Sequence, residues 1–474
     1  MRRDSALAEA VTSAALASRL PPQKHSLQRP HKAGLLQAAG VLAVEVAAGV
    51  FASVLTYQRA TRHRIRKAVL SGLITVLAAI CAQVVSKANL GYKREISALE
   101  EWVEQYEEDA IEPELRILDA HHHMWNYKTE PRLKKAIHPV IKAIIFGLKP
   151  KVINKMYQNM PGLANQFGSR IPIAAPYEAE NFMKDIRGKK DGGHNVIGTI
   201  YMECGWYGPE GKTEECMLPL GEVSMLTEVN RQNPSICQAM IAHADLSLGA
   251  AVEPLLKKYK DNPRIKGIRD GLHSTGDPEH NLLPELEEDP RKAYDPKFRE
   301  AFGLLQKYGF TYDSWLYHVN LEAFTDLAQA FPGQIMILDH MGFPLAEHVS
   351  ANFNKLKSAE EWKGLMAKLA KCKNVYVKIG GLGMRTWGFK FDERPIPPTS
   401  DELAEEWAPY VRYTIDTFGV DRCMFESNFP MDKISCSYTV LWNALKKIVA
   451  HRALEDKIKL FELNALKIYS LKLD

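Results

Sequence analysis

The chain has 474 residues, of which 46% are hydrophobic and 25% are charged, and its formal net charge is +4. A chain of this length holds one large domain with extensions, or two to three average domains. The weak charge and the lack of a long basic block argue against a nucleic-acid-binding protein.

The N-terminal region differs in composition from the rest of the chain. Residues 1–32 are rich in Ala, Ser, Arg and Pro, which predicts a disordered or targeting segment. Residues 33–95 carry two apolar helical segments, and the second, 68–86, is uncharged and long enough to span a bilayer. Glu45 in the first segment would cost about 2.5–3.5 kcal/mol at mid-membrane. Residues 33–90 are therefore either a membrane anchor or a helical pair outside the bilayer, which leaves a cytoplasmic or a membrane-associated location open.

Short β-rich runs alternate with amphipathic helical stretches from residue 98 to residue 472. Eight such units predict an α/β fold, a (β/α)8 TIM-type barrel with an N-terminal helical extension. A doubly wound open sheet is less favoured, because no strand is followed by a GxGxxG or GxxxxGK[ST] loop. The largest insertion, 126–194, follows strand one and is expected to cap or flank the barrel mouth. The predicted strands are 116–123, 195–204, 237–244, 264–271, 310–318, 334–340, 374–381 and 422–428.

Strand one ends in three consecutive histidines within ILDAHHHMW. Successive side chains of a strand point to opposite faces, so His121 and His123 are predicted to share one face with Asp119. His122 is predicted to point towards the helical layer. The triple histidine is thus predicted to be an HxH pair, spaced to hold one metal ion.

Three later strands also end in residues that can bind a metal or transfer a proton. Strand five ends at His318, strand six at His340, and strand eight at Glu426 and Asn428. Functional groups of a parallel barrel gather at the C-terminal ends of its strands, so these residues should lie near the HxH pair. Asp339 has the opposite parity to His340 and is expected to face outward. Imidazole is both a common metal ligand and an acid or base near neutral pH.

These strand ends resemble those of the amidohydrolase-related proteins, the branch of the amidohydrolase superfamily with 2-pyrone-4,6-dicarboxylate lactonase and sugar lactonases. The matching segments are DAHHHMW, GHNVIGTIYMECGWY, IAHADL, IKGIRDGLH, WLYH, LDHMGFP, VYVKIGGLGMR and RCMFESNFPMDK, and the resemblance covers about residues 98–472. It implies a barrel enzyme that hydrolyses amides, lactones or related bonds. By position, His121, His123 and His318 match the metal ligands. His340 matches the histidine that holds water or polarises the carbonyl.

Strand eight departs from the family pattern, G-[ST]-D-x-P, whose aspartate is a ligand and the general base. Asn428 stands at the aspartate position and Glu426 at the glycine position. An amide accepts no proton and binds metals more weakly than a carboxylate. Either Glu426 supplies the missing carboxylate beside one divalent ion, zinc or manganese, or the site is metal-free. The structural alternative for Glu426 is a salt bridge with Arg269 or Lys378.

Four other residues suit substrate binding. The planar guanidinium of Arg269 can grip a carboxylate, and Lys378 adds positive charge. Trp125 and Tyr317 either line the pocket or pack in the barrel. These residues predict a small anionic substrate, and the resemblance implies a lactonase-like hydrolase in which water attacks a carbonyl. The alternatives are a decarboxylase on the same scaffold and a catalytically degenerate, membrane-associated binding protein, and the oligomeric state is left open.

Overall fold

A computed structural model of the protein divides the chain into two compact units, residues 1–91 and 92–474. The predicted segments 1–32 and 33–95 lie outside the described residues, as does most of the insertion 126–194. No helix in the described part of the chain is long and apolar enough to cross a membrane. The structure describes residues 97–125, 177–188, 192–205, 215–275, 288–345 and 355–472.

The second unit is built on a single parallel sheet of eight strands, which pair in chain order from β1 to β8. All eight predicted strands are present, and a helix follows each of them, so the predicted (β/α)8 barrel is confirmed. The strands are β1 Ile117–His122, β2 Val196–Met202, β3 Ala239–His243, β4 Ile265–Arg269, β5 Thr311–Ser314, β6 Met336–Leu338, β7 Val375–Ile379 and β8 Cys423–Phe425.

The helical layer surrounds the sheet. Helix α2 lies inside the predicted insertion and is the first helix after β1 among the described residues, while α1 precedes the barrel and α10 and α11 follow it. The α-helices are α1 Ser97–Val103, α2 Ala179–Arg187, α3 Leu220–Gln232, α4 Glu253–Lys260, α5 Pro296–Tyr308, α6 Leu321–Ala330, α7 Lys355–Leu369, α8 Ser400–Phe418, α9 Tyr438–Ile448, α10 Leu454–Ile458 and α11 Asn464–Ile468.

Local sequence sets the ends of these helices. At α5 the Asp295 side chain accepts hydrogen bonds from the backbone N–H groups of Lys297 and Phe298, and Pro296 occupies the first turn. The helix ends at Gly309, whose φ of 72° is left-handed. A capping aspartate, an early proline and a terminal glycine are the signals expected at the two ends of a helix.

Backbone hydrogen bonds between β1 and the segment after β8 join the two ends of the sheet. The N–H of Asn428 donates to the carbonyl of His121 at 2.9 Å, and the N–H of His123 donates to the carbonyl of Phe429 at 2.8 Å. Side chains from non-adjacent strands meet inside the barrel, and residues of α11 and Tyr469 pack against them. The strand residues of this interior cluster are Leu118, Ala120, Ile200, Met202, Ala239, Ile241, Ile337 and Met424.

Candidate active site

A β-bulge at the end of β1 decides which of its side chains face the barrel axis. Asp119 pairs with Thr199 of β2, but the next pair joins His122 to Tyr201. Strand β1 therefore uses one residue more than β2 between the two pairs. An extra residue in one strand reverses the alternation of the side chains that follow it.

His122 lies on the helical side of the barrel, as its parity predicted. Its ring stacks on Phe182 of α2 with ring centroids 4.1 Å apart, and its Nε2 lies 2.9 Å from Oγ1 of Thr199. Leu118, which would share a face with His122 in a regular strand, packs inside the barrel instead. The bulge therefore turns His121 and His123 inward.

Asp119 does not share the face of the two inward histidines, and this part of the prediction is wrong. Its Oδ1 accepts hydrogen bonds from the backbone N–H groups of Ser427, at 2.9 Å, and His121, at 3.3 Å. Its Oδ2 accepts from Ser427 Oγ at 2.6 Å and from the hydroxyl of Tyr438 at 2.9 Å. Burial raises the pKa of Asp119 to about 6, although these bonds oppose the shift. Asp119 thus ties β1 to the segment after β8.

His121 and His123 face each other through Nε2 atoms 3.0 Å apart. Their Nδ1 atoms both face acceptors: that of His123 lies 2.9 Å from the carbonyl oxygen of Met202, and that of His121 lies 2.7 Å from Oε2 of Glu426. A ring nitrogen that faces an acceptor is best protonated, which leaves both Nε2 atoms as lone pairs. Burial lowers the pKa of His121 and lowers that of His123 far below its usual value. Two buried lone pairs at this distance repel each other unless a proton or a metal cation lies between them.

Glu426 joins His121 to His340. Its Oε1 accepts hydrogen bonds from Nδ1 of His340 at 2.6 Å and from the His340 backbone N–H at 3.2 Å. Burial alone would raise the pKa of Glu426, but His340 and His121 outweigh it and lower the pKa to about 2. Ligand atoms of His121, His340 and Glu426 all lie within 4.8 Å of one another. The Glu426 carboxylate contacts the ring nitrogens of these two histidines, and it forms no salt bridge with Arg269 or Lys378.

Left-handed backbone and two glycines make this contact possible. His340 has φ 54° and ψ 28°, which turns its ring towards β8. Gly381 also has a positive φ, 64°, and a Cβ added there would lie 2.6 Å from Cγ of His340. A Cβ at Gly380 would lie 2.3 Å from Cγ of Glu426. Nε2 of His340 has no hydrogen-bond partner among the described residues.

Asp339 lies inside the barrel, and the prediction that it faces outward is wrong. Its Oδ1 is 3.7 Å from Nδ1 of His121 and 3.3 Å from Nζ of Lys378, and its Oδ2 is 3.5 Å from Nη1 of Arg269. Burial opposes ionisation, but Lys378, His121 and Arg269 hold the pKa of Asp339 well below its usual range. Asp339 keeps the parity of the interior residue Ile337, whereas His340 reaches the same space through its left-handed backbone.

Both cationic residues that were predicted to bind substrate are already paired. Lys378 is fully buried and donates to Oδ2 of Asp313 at 2.9 Å, which also accepts from the hydroxyl of Tyr469 at 2.6 Å. Lys378 is therefore buried and paired within the barrel rather than exposed at its mouth. Arg269 donates from Nε to Oε1 of Glu203 at 2.8 Å and from Nη2 to the Glu203 carbonyl, and its side chain remains 12% exposed.

The structure does not bring His318 or the Asn428 side chain into hydrogen-bond contact with the histidine pair. Nδ1 of His318 accepts from the backbone N–H of Leu345 at 3.2 Å, and Nε2 lies 3.8 Å from Oε2 of Glu361 on α7. Asn428 has φ 52°, and its amide donates to Oδ1 of Asp432 at 2.8 Å. The buried Oδ1 of Asn428 has no hydrogen-bond partner among the described residues.

The two predicted aromatic residues lie at different depths. Trp125 is partly exposed and forms an antiparallel bridge with Tyr177 just after β1. Tyr317 is buried and packs against Phe343 with ring centroids 6.1 Å apart, and Phe343 in turn lies 5.5 Å from the ring of His340. Trp125 is therefore the more exposed of the two, and Tyr317 packs among the aromatic residues of the barrel.

Sequence reasoning missed two acidic residues of the site, Glu203 and Asp339. Both lie at the C-terminal end of a strand, β2 and β6, where catalytic groups of a barrel are expected. Asp339 also precedes the predicted site residue His340 directly. Their positions at strand ends could have identified both residues. For Asp339, the assumption of strict side-chain alternation led to the wrong face.

A cavity of about 480 Å³ lies at the opposite end of the barrel, near the starts of β4, β5 and β6. Lys260, Thr311, Gln334 and Tyr469 are among its lining residues. In TIM-type barrels this end serves stability and the C-terminal face holds the chemistry. The cavity is therefore separate from the candidate active site.

The chain is similar in sequence to two curated proteins. An uncharacterized protein (y4mH) of Sinorhizobium fredii is 29% identical over 356 residues, which cover 75% of this chain and 99% of that protein. L-fucono-1,5-lactonase of Burkholderia ambifaria is 25% identical over 202 residues, 42% of this chain and 58% of the lactonase. Among solved structures, an amidohydrolase of Burkholderia multivorans with bound zinc has a TM-score of 0.52 at 15% identity, covering 75% of this chain and 99% of its own. That likeness supports the barrel fold.

The amidohydrolase family model matches residues 233–471, about half of the chain. The matched part runs from just before β3 to the end of α11, and so includes six strands of the barrel, Asp339, His340 and Glu426. The chain is therefore an enzyme of the amidohydrolase family.

Proposed function

We propose that the enzyme hydrolyses a lactone or a related cyclic ester by attack of water on the ring carbonyl. The observation that carries this proposal is the Glu426 carboxylate, which lies 2.7 Å from Nδ1 of His121 and 2.6 Å from Nδ1 of His340. The three residues come from β1, β6 and β8 or the turns that follow them, at the barrel end where catalysis takes place. A degenerate barrel would have no reason to keep an ionised carboxylate between two imidazoles.

A divalent cation suits the pair of Nε2 atoms, and His121 and His123 would hold it. The unpartnered Oδ1 of Asn428, at the strand-eight position of the family pattern, would supply an oxygen donor. Imidazoles that bind metals usually donate their other N–H to a carboxylate or a carbonyl, as Glu426 and Met202 allow here. Nitrogen and oxygen donors suit zinc or manganese, and the Burkholderia multivorans amidohydrolase binds zinc. When bound, such an ion polarises a carbonyl oxygen and acidifies water.

His340 is the proposed general base. Its Nδ1–H is directed at Glu426, which fixes the tautomer in which Nε2 carries a lone pair. When Nε2 takes a proton from the attacking water, the carboxylate of Glu426 stabilises the imidazolium that forms. His340 then returns the proton to the alkoxide oxygen released as the lactone ring opens, so the proton balance closes at one residue.

Arg269 is the proposed contact for an anionic group of the substrate. Its side chain lies at the edge of the mouth, and Glu203 and Asp339 hold it in place. These two carboxylates offset much of its charge, so Arg269 is expected to orient a small anionic substrate rather than to bind it strongly. The similarity to L-fucono-1,5-lactonase supports a lactone as the substrate class.

The test is to measure the metal content of the purified full chain and its hydrolysis of 1,4- and 1,5-lactones before and after chelation. We expect stoichiometric zinc or manganese and activity that chelation removes and the metal restores. Hydrolysis that persists in metal-free protein would favour the metal-free alternative. Carbon dioxide release from carboxylic acids without lactone opening would favour a decarboxylase. Saturable ligand binding without turnover of any substrate would favour a binding protein.

A further inference from the structure

Asp339 is a buried carboxylate with an unusual set of neighbours. It is fully buried, yet neither of its oxygens accepts a hydrogen bond from a described residue. Its three close neighbours are Lys378 at 3.3 Å, Arg269 at 3.5 Å and the His121 ring at 3.7 Å. Burying a carboxylate without hydrogen bonds costs several kcal/mol unless nearby charges compensate it, so Asp339 is held at this position by charge.

The negative charge of Asp339 can compensate for the carboxylate that strand eight lacks. The family pattern places an aspartate where this chain has the neutral Asn428. Two carboxylates instead lie within 4 Å of Nδ1 of His121, that of Glu426 at 2.7 Å and that of Asp339 at 3.7 Å. A carboxylate behind a metal-binding imidazole makes that imidazole a stronger ligand.

We propose that Asp339 is a positioning residue that supplies the cation site, through His121, with the negative charge that the family takes from strand eight. The inference rests on the proposed function, because it assumes a divalent cation at His121 and His123. In the family pattern the negative charge belongs to a direct ligand on strand eight. In this chain it belongs to a carboxylate that follows β6 and acts through His121. Lys378 holds that carboxylate through Oδ1, the oxygen that faces His121, and Arg269 holds it through Oδ2.

Asp313 provides a matched control within the same network. Like Asp339 it is fully buried and pairs with Lys378, at 2.9 Å. Its other hydrogen bonds go to Tyr469 and Thr311, and it forms no ion pair with a histidine. Neutralising either residue removes one carboxylate from Lys378, but only Asp339→Asn removes charge from behind His121.

The experiment compares the affinity of the full chain for zinc in the wild type, Asp339→Asn and Asp313→Asn, by competition with a chromogenic chelator and by elemental analysis. We expect Asp339→Asn to lower zinc affinity about 10- to 100-fold and Asp313→Asn to change it less than about threefold. The double variant Asp339→Asn/Asn428→Asp, which returns a carboxylate to strand eight, should recover most of the affinity. It also serves as the folded comparison if Asp339→Asn alone does not fold.

Wild-type affinity in a folded Asp339→Asn protein would overturn the inference, as would an equal loss in Asp313→Asn. Lactone hydrolysis by the wild type is measured in the same samples. A wild type that binds zinc but opens no lactone refutes the proposed reaction and leaves the inference standing. A wild type that binds no divalent cation refutes both the cation site and the inference.

Discussion

Two buried carboxylates near the histidines differ in their surroundings. Asp119 belongs to the framework side, where hydrogen bonds join β1 to the segment after β8. Asp339 belongs to the reactive side, with His121, His340 and Glu426. Asp119 accepts four hydrogen bonds, from Ser427, Tyr438 and the His121 backbone. Asp339 accepts none from the described residues and faces charged groups and an imidazole. A carboxylate saturated by neutral donors fixes the backbone, whereas one held by charges acts on its neighbours electrostatically. Substitutions on the two sides should therefore separate stability from activity.

The largest effect is expected at Glu426, on the reactive side. Glu426→Gln keeps the size of the side chain but removes the negative charge that faces Nδ1 of both His121 and His340. The base then loses its orientation and the stabilisation of its imidazolium, so we expect kcat to fall about 10²- to 10⁴-fold. Steady-state kinetics on the best lactone, with a thermal melt to verify folding, measure this. A kcat within tenfold of the wild type in a folded variant would remove Glu426 from the mechanism.

The second prediction concerns Gly381, which allows the His340 ring to approach. An alanine there combines a φ of 64° with a Cβ 2.6 Å from Cγ of His340, so the ring must move. We expect a loss of stability of about 1–3 kcal/mol together with at least a tenfold loss of kcat. Gly364 on α7 is the control, because a Cβ there meets nothing within 4 Å. Gly364→Ala should leave kcat unchanged and raise the helix stability by up to about 1 kcal/mol.

The sequence was enough to predict the strands of the barrel and several residues at their ends. The alternation of β-rich and helical segments was enough to predict eight strands, because parallel strands of a barrel are apolar runs bounded by turns. Because functional groups gather at the C-terminal ends of barrel strands, the sequence also predicted that His121, His123, His340 and Glu426 would lie close together. Both predictions needed only the regular repeat of side chains along strands and helices, not the detailed backbone conformation.

Strict alternation failed where the backbone is irregular. The bulge after Asp119 reverses the parity of β1, and the left-handed conformation of His340 lets it share a space with Asp339. A sequence pattern of period two contains neither feature. The prediction that His121 and His123 face inward was therefore confirmed for the pair, while the faces assigned to Asp119 and Asp339 were wrong.

The third prediction lies on the framework side. Asp119→Asn replaces an acceptor with an amide whose N–H₂ faces donors from Ser427 and Tyr438. We expect the free energy of unfolding to fall by about 1–3 kcal/mol, while kcat stays within about threefold of the wild type. Urea denaturation and steady-state kinetics on the same preparation measure both. A fall in kcat as large as that of Glu426→Gln would place Asp119 on the reactive side and contradict its assignment to the framework.

A fourth, smaller effect concerns pH and Glu222 on α3, away from the histidines. Glu222 accepts hydrogen bonds from the hydroxyl of Tyr201 at 2.7 Å and the backbone N–H of Cys204 at 3.1 Å. Burial, with the nearby charge of Glu203, raises its pKa from 4.5 to about 8. The folded protein therefore holds this proton more tightly than the unfolded chain. The stability it contributes is complete below about pH 4.5 and is lost as the pH rises through about 8.

Glu222→Gln keeps the acceptor oxygen and removes the titration. The wild type should lose stability between pH 5 and pH 8 relative to this variant, by an amount on the order of a few kcal/mol. Urea denaturation at three pH values measures the difference. Glu228→Gln, at an exposed position of the same helix, should leave the slope above pH 5 unchanged, because Glu228 is ionised there in both states. Parallel slopes for wild type and Glu222→Gln would show that Glu222 is ionised in the folded protein.

The smallest effect is expected at His318, which the family pattern names as a ligand. Its Nδ1 accepts the Leu345 N–H, so its proton is on Nε2, which faces Glu361. Nδ1 is thus hydrogen-bonded to the loop after β6, and Nε2 lies within ion-pair distance of α7. His318→Gln should leave zinc content and affinity within about twofold of the wild type while lowering the melting temperature slightly. A loss of zinc comparable to that of a His121→Gln variant would instead mean that His318 turns into the site when the ion binds. The reactive side would then extend to β5, and saturated hydrogen bonds would no longer separate framework from function in this barrel.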